Sequence, residues 1–171
     1  LAAENLCEMF ARKGHLAAVV LRTSRFFLEA DDDAEIRGTY ETANAQANEM
    51  LYRRVDIADI VSAHKLALEK AAAMGFRQYI VSATSPFTQS DLALIHRDAP
   101  AVIHRLFPDC RALYAARGWS LFPRIDRVYV NNLARAELGW TPRFDFRTVL
   151  DSLRTGADFR SALARDVGIK G

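Results

Sequence analysis

The chain has little of what marks specialised protein classes. Two cysteines, Cys7 and Cys110, stand far apart in 171 residues. That is too few for a disulfide-built scaffold, and both read as free thiols. Eight glycines are scattered along the chain without a GxGxxG or GxxGxxG turn. The loop that brings a dinucleotide pyrophosphate onto a helix N-terminus is therefore missing. No apolar run approaches the roughly 18 residues of a membrane-spanning helix. No secretory leader pattern is visible at the N-terminus, so a cytoplasmic location is expected. Charge is nearly balanced, with 23 Lys and Arg against 21 Asp and Glu. A net charge of +2 gives no electrostatic footprint for nucleic acid. Half the residues are hydrophobic and 26% are charged, as in an ordinary globular protein of one domain.

What is present is organised around residues 51–85. Asp56 stands at an N-cap position, with Asp59 as an acid in the first turn. Ile57, Ile60, Val61, His64, Leu66 and Leu68 then recur at helical spacing, and Gly75 sits at the C′ stop. His64 reads as a packed helix residue bonded to backbone. Tyr79, Ile80 and Val81 form a short β-type run that ends in Ser82, Ala83, Thr84, Ser85 and Pro86. Upstream, Leu16–Leu21 is a continuous apolar run of the kind found in parallel strands covered on both faces. Ligands of open α/β sheets bind beyond the carboxyl ends of the strands, so Arg22–Phe27 is the first place to look for function.

The remaining segments read as helices and connections. Leu1–Lys13 is helical, with Leu6, Met9 and Phe10 on one face and Gly14 as the stop. Glu29–Asp33 is acidic, but consecutive side chains do not converge on a cation, and a helix N-terminus is the better reading. Ala34–Met50 reads as a polar helix interrupted at Gly38. Of the adjacent Arg53 and Arg54, one is expected to face the pocket and the other solvent. Helices are expected over Thr88–Arg97, Pro100–Phe107 and Cys110–Gly118. Trp119–Tyr129 is aromatic and basic with no clean period. Asn131 or Asn132 caps a helix to Leu138, Asp145 caps Phe146–Arg154, and Asp158 opens a last short helix. Residues 167–171 carry no core pattern and are expected to fray.

Three stretches together resemble one family. They are Val55-Asp56-Ile57 through Asp59-Ile60-Val61 to Ala63-His64 and Ala67-Leu68, then Leu21-Arg22-Thr23-Ser24-Arg25-Phe26-Phe27, and Ala134-Arg135-Ala136-Glu137-Leu138-Gly139-Trp140-Thr141-Pro142. Taken in chain order they resemble the second half of extended short-chain dehydrogenase/reductases, the NAD(P)-dependent epimerase/dehydratase enzymes. The resemblance implies an α/β fold: the C-terminal part of a Rossmann-like doubly wound parallel sheet with a small, mostly helical substrate-binding lobe. It implies NAD or NADP, a homodimer and a small anionic substrate, with neither nucleic acid nor membrane as partner. It places Thr23 and Ser24 on the cofactor side. Arg25, Phe26, Arg53, Arg124, Arg127 and Tyr129 fall on the substrate side. Trp140 and Pro142 take packing roles.

The family's catalytic pair is Tyr-x-x-x-Lys, and no Tyr here is followed four residues later by Lys. A phenol of pKa about 10 needs such a cation to serve as a base near neutrality. The opening Leu1-Ala2-Ala3-Glu4 resembles the segment just after that Lys, which implies that the dinucleotide-binding half lies upstream and outside this chain. Nucleotide-sugar members usually carry Asn at the position of Arg25. An Arg fork there keeps an anionic substrate and departs from the usual nucleotide sugars. Two alternatives stay open: a non-catalytic substrate- or partner-binding relative, and a regulator.

The missing glycine turn has a measurable consequence. Titration calorimetry of the 171-residue chain with NAD or NADP is expected to show no micromolar binding; micromolar heats would overturn the assignment of cofactor binding to another segment.

Overall fold

The computed structural model describes residues 2–14 and 16–167. Leu1 and residues 168–171, on which parts of the expected first helix and frayed end fall, lie outside them. The chain is mixed α/β, and its described residues form a two-stranded parallel sheet with α-helices before, between and after the strands. Strands β1 (Ala18–Thr23) and β2 (Phe76–Val81) pair in register from Ala18↔Phe76 to Thr23↔Val81. Parallel pairing needs a long crossover, which here contains α2 (Ala34–Thr39), α3 (Thr42–Glu49) and α4 (Ile57–Met74). Helix α1 (Ala2–Arg12) and α4 each pack against both strands. Val19, Leu21, Tyr79 and Val81 join Ile60, Ala63 and Ala67 of α4 in one core. A second, larger core fills the helical part, built on residues such as Leu51, Ile95, Ile103, Phe122, Phe146 and Leu150.

Helix α4 forms as its end signals require. The Asp56 carboxylate accepts from Ala58 N–H at 2.8 Å, and Gly75 closes the helix at φ 67°, a conformation that favours glycine. The apolar stripe is narrower than expected. Ile60, Ala63 and Ala67 are buried, whereas Val61 and Leu68 are exposed. The small alanines let the helix axis approach the sheet. His64 Nδ1 lies 2.9 Å from Ile60 O, as a helix residue bonded to backbone.

The first turn of α4 also gathers distant chain. Asp59, fully buried, accepts from Arg143 N–H and Phe144 N–H, each at 3.0 Å. Asp56 accepts from Ser161 N–H at 2.9 Å and from Ser161 Oγ at 2.6 Å. Trp140 Nε1 donates to Ser62 Oγ at 2.9 Å, and Lys70 Nζ donates to Leu138 O at 2.8 Å.

Several boundaries differ from expectation for tertiary reasons. The polar segment 34–50 breaks at Tyr40 and Glu41, not at Gly38. The Tyr40 ring packs edge-on against Phe122 at 4.8 Å, and Glu41 accepts from Trp119 Nε1 at 2.9 Å. Asn131 does not cap the following turn, a π-helical segment over Ala134–Leu138; its side-chain amide donates instead to Ser82 O at 2.9 Å. Helix α7 (Phe146–Thr155) starts at Asp145 and stops at Gly156 as expected. The last helix, α8 (Ala162–Val167), is entered through Ser161 and not Asp158. The Asp158 carboxylate is occupied by Arg160.

Helix α5 (Leu92–Leu106) contains a break with a clear cause. Asp98 takes a non-helical conformation ahead of Pro100, so the two expected helices run on as one kinked element. The kink separates Ile95 O from Ala99 N–H. Both groups then bond the same loop: Ala99 N–H donates to Pro123 O at 3.0 Å, and Ile95 O accepts from Ile125 N–H at 2.9 Å. The loop after α6 (Cys110–Ala115) is thereby stitched into the break.

Asp59→Ala is expected to destabilise the chain by about 3 kcal/mol, because it strands two backbone donors and removes charge-assisted bonds. Asp59→Asn should recover part of this. Urea unfolding monitored by circular dichroism checks both, and equal stability of all three proteins would contradict the role given to this carboxylate.

Candidate functional site

At their carboxyl ends the two strands separate. Ser24 still belongs to the pair, with its N–H and Oγ donating to Val81 O at 2.9 and 3.0 Å. One residue later the arm around Arg54 enters between them. Arg25 N–H donates to Arg53 O at 3.2 Å and Val55 N–H donates to Arg25 O at 3.0 Å. On the other side Ala83 N–H donates to Arg54 O at 2.9 Å. The arm is thus a one-residue strand that occupies the crevice where the strands end.

Three guanidinium groups surround this arm. Arg54, buried, donates to Glu49 Oε2 at 2.7 Å and to Phe27 O at 2.9 Å. Arg53 bridges Asp31 and Glu49 at 2.7 and 2.9 Å, with its guanidinium 5.3 Å from the Tyr52 ring. Arg25 is held more loosely: Asp32 lies at 3.3 Å, Glu49 at 3.6 Å and Asp31 at 3.7 Å. Neither Arg53 nor Arg54 simply meets solvent, because the turn after α3 brings both onto Glu49. Burial pushes the Glu49 carboxyl up, against the pull of Arg54 and Arg53. Burial acts the same way on Asp31, but the Asp33 N–H, the neighbouring Glu49 carboxyl, Arg25 and Arg53 outweigh it and hold that carboxyl below its ordinary value. A recess of about 150 Å³ opens at Arg25, lined also by Phe26, Phe27, Glu29 and Asp32.

A larger cleft of about 600 Å³ follows the loop after β2. Phe87, Leu92, Ile95 and Ile125 give it an apolar floor, and His96, Arg97 and Arg127 stand among its polar groups. Its walls are the start of α5 and the loop that the α5 break secures. Arg127 donates to Asp126 at 3.3 Å and also interacts with the Tyr129 side chain. Tyr129 N–H donates to Tyr52 O at 2.9 Å, which ties this wall to the arginine arm.

The residues singled out from sequence fall into two groups. Arg25, Phe26 and Arg53 meet at the crevice and Arg127 lines the cleft, whereas Tyr129 lines neither and is tied by its backbone to Tyr52 O. Arg124 is exposed and lines neither. Thr23 ends β1 exposed, and the Ser24 hydroxyl is engaged with Val81 O. Sequence reasoning passed over Glu49, Asn131 and the inward course of Arg54. Glu49 sits in a polar helix with no apolar period, so nothing local marks it. Among the described residues no group of three or more His, Cys, Asp and Glu side chains is placed to hold a metal ion. Burial pushes the Cys110 thiol up to about 12, so it is not a nucleophile near neutrality. No family profile, curated protein or solved structure matches the chain.

Two measurements test the cluster. Glu49→Ala leaves buried cations without their shared partner and is expected to cost about 3–5 kcal/mol of stability. Asp31 has a folded pKa below its unfolded one, so it contributes stability above the unfolded value, lost as pH falls through the folded pKa. The melting temperature is expected to drop as pH falls below about 4, and to drop less steeply in Asp31→Asn. Identical acid limbs for the two proteins would contradict the coupling.

Proposed function

We propose that this chain is the substrate-side portion of an NAD(P)-dependent epimerase, dehydratase or reductase. The proposed substrate is an anionic carbinol compound, sugar-nucleotide-like or smaller. One observation carries the reading: two parallel strands part at their carboxyl ends around an arm bearing Arg53 and Arg54, with Arg25 beside it. Crevices of this kind are where α/β sheets take ligands. The three stretches that resemble the extended short-chain dehydrogenases support the same reading. The parallel pair and the helices packed on it agree with that architecture at the coarse level.

When bound, the nicotinamide would supply a hydride acceptor for the substrate's carbinol carbon, or a hydride donor for the corresponding carbonyl carbon. This chain's share of the cofactor contact is small. Thr23 keeps an exposed hydroxyl at the end of β1, whereas Ser24 has given its hydroxyl to Val81 O. The Tyr and Lys that move the proton are assigned to an upstream half of the same protein. Residues here bind and orient. Arg25 faces the anionic group, and the cleft at Phe87, Leu92 and Ile125 receives the less polar body of the substrate, with Arg127 at its edge.

No helix among the described residues is long and apolar enough to cross a membrane. The proposal places the protein in the cytoplasm as a homodimer, with α1 and its exposed Leu6 and Met9 in the subunit contact. A non-catalytic or regulatory role is the second reading. It is favoured by one observation: the buried Ser24 hydroxyl, assigned to the cofactor side, is already engaged with Val81 O.

Reading the residues encoded upstream of Leu1 separates these. A Tyr-x-x-x-Lys ending there, with a glycine turn further back, selects the enzyme, and its absence selects the second reading. In that protein, Arg25→Ala is expected to lower kcat/KM by about 2–4 kcal/mol, the range for losing one partner of a desolvated charge pair. Arg25→Lys should recover part, since an ammonium lacks the fork. Unchanged turnover and substrate affinity would remove Arg25 from the site.

A further inference from the structure

The three arginines at the crevice are not held alike. Arg53 and Arg54 make bonds of 2.7–2.9 Å to Asp31 and Glu49, both almost fully buried. These four groups satisfy one another without Arg25. Arg25 approaches the same two carboxylates only at 3.7 and 3.6 Å. Its nearest acceptor is Asp32 at 3.3 Å, and the Asp32 side chain is 96% exposed. The backbone at Asp32 is fixed, because Arg37 donates to Asp31 O and Asp32 O at 2.7 Å. Only the Asp32 side chain is free to turn away. An exposed pair of this geometry contributes little to stability, so it opens readily.

From this we infer that Asp32 is a displaceable internal counter-ion of Arg25, which yields its place to an oxyanion group of the ligand. The inference rests on Arg25 being the anion-binding residue proposed above, and adds to it a competitor built into the chain. While Asp32 faces Arg25, the guanidinium stays neutralised. When a phosphate or carboxylate group enters the recess of about 150 Å³, the fork exchanges one oxyanion for another and Asp32 returns to water. Glu29 lines the same recess but makes no ion pair with Arg25 closer than those of Asp32, Glu49 and Asp31. An entering anion meets Glu29 as a repulsion and Asp32 as a rival for the same donor.

Calorimetric titration of the chain with inorganic pyrophosphate, and separately with malonate, tests this at constant ionic strength. Wild type, Asp32→Asn, Glu29→Gln, Arg25→Gln and Arg25→Lys are compared, each first shown to keep its circular dichroism spectrum and melting temperature. Asp32→Asn is expected to bind about three- to fivefold tighter, the scale of an exposed ion pair removed from competition. Arg25→Gln should abolish binding, and Arg25→Lys should weaken it and shrink the gain. The pyrophosphate and malonate arms tell a phosphate-bearing ligand from a carboxylate-bearing one. If wild type binds through Arg25 and Asp32→Asn is no tighter, or Glu29→Gln gains as much, the counter-ion role falls while the Arg25 assignment stands. If Arg25→Gln changes nothing, both fall.

Discussion

Two carboxylates one turn apart at the start of α4 hold the chain's later segments to its earlier ones. Asp56 binds its own helix and Ser161, and Asp59 binds the backbone of Arg143 and Phe144. Each is buried, and each lies at the positive end of the helix dipole, where a negative charge is favoured. Backbone N–H groups supply the solvation that water cannot. The same turn receives Trp140 through its indole N–H. Sheet, arginine arm and C-terminal helices therefore share one reference point, and the crevice at the strand ends inherits its geometry from it.

Helix α3 follows a different logic. Asn44, Gln46, Asn48 and Glu49 are all nearly inaccessible, although none is apolar. Each is satisfied at a distance. Asn44 and Asn48 grip Ser120 O, Gln46 donates to Leu28 O, and Tyr114 Oη donates to Asn48. Buried polar groups are costly when one partner is missing and specific when all are present. The helix acts as a polar clamp between the loop that follows β1 and the loop at Ser120. Glu49, at its end, extends the clamp to the arginines.

What could be read from sequence was local. Asp56, Gly75, Asp145 and Gly156 are caps whose effect reaches only a turn away, and all four act as their residue types require. The two strands announced themselves by apolar and β-branched runs, although β1 begins only at Ala18 and leaves Leu16 exposed, and the loop beyond β2 announced itself by small residues. The interior of the site was not legible in this way. Glu49 looks like any acid on a polar helix until Arg54 is folded back onto it. Asn131 has the form of a cap but reaches Ser82 O and Thr84 Oγ1. Ser161 acquires its importance from Asp56, far away in sequence. Such partnerships carry no periodicity and no spacing rule. Arg25 lies between the two cases: its place at a strand end was readable, its three acidic neighbours only partly so.

The break in α5 bears on how a ligand would be received. Both walls of the larger cleft are fastened to each other through the two backbone bonds that the kink frees. A loop of mixed aromatic and basic residues would ordinarily be ordered only when something binds, and that ordering subtracts from affinity. Here two points of that loop, Pro123 O and Ile125 N–H, are already tied to α5 by bonds that the kink at Asp98 and Pro100 frees. Association with this cleft should therefore carry a small conformational-entropy penalty. To that extent its selectivity lies in a shape set before a guest arrives.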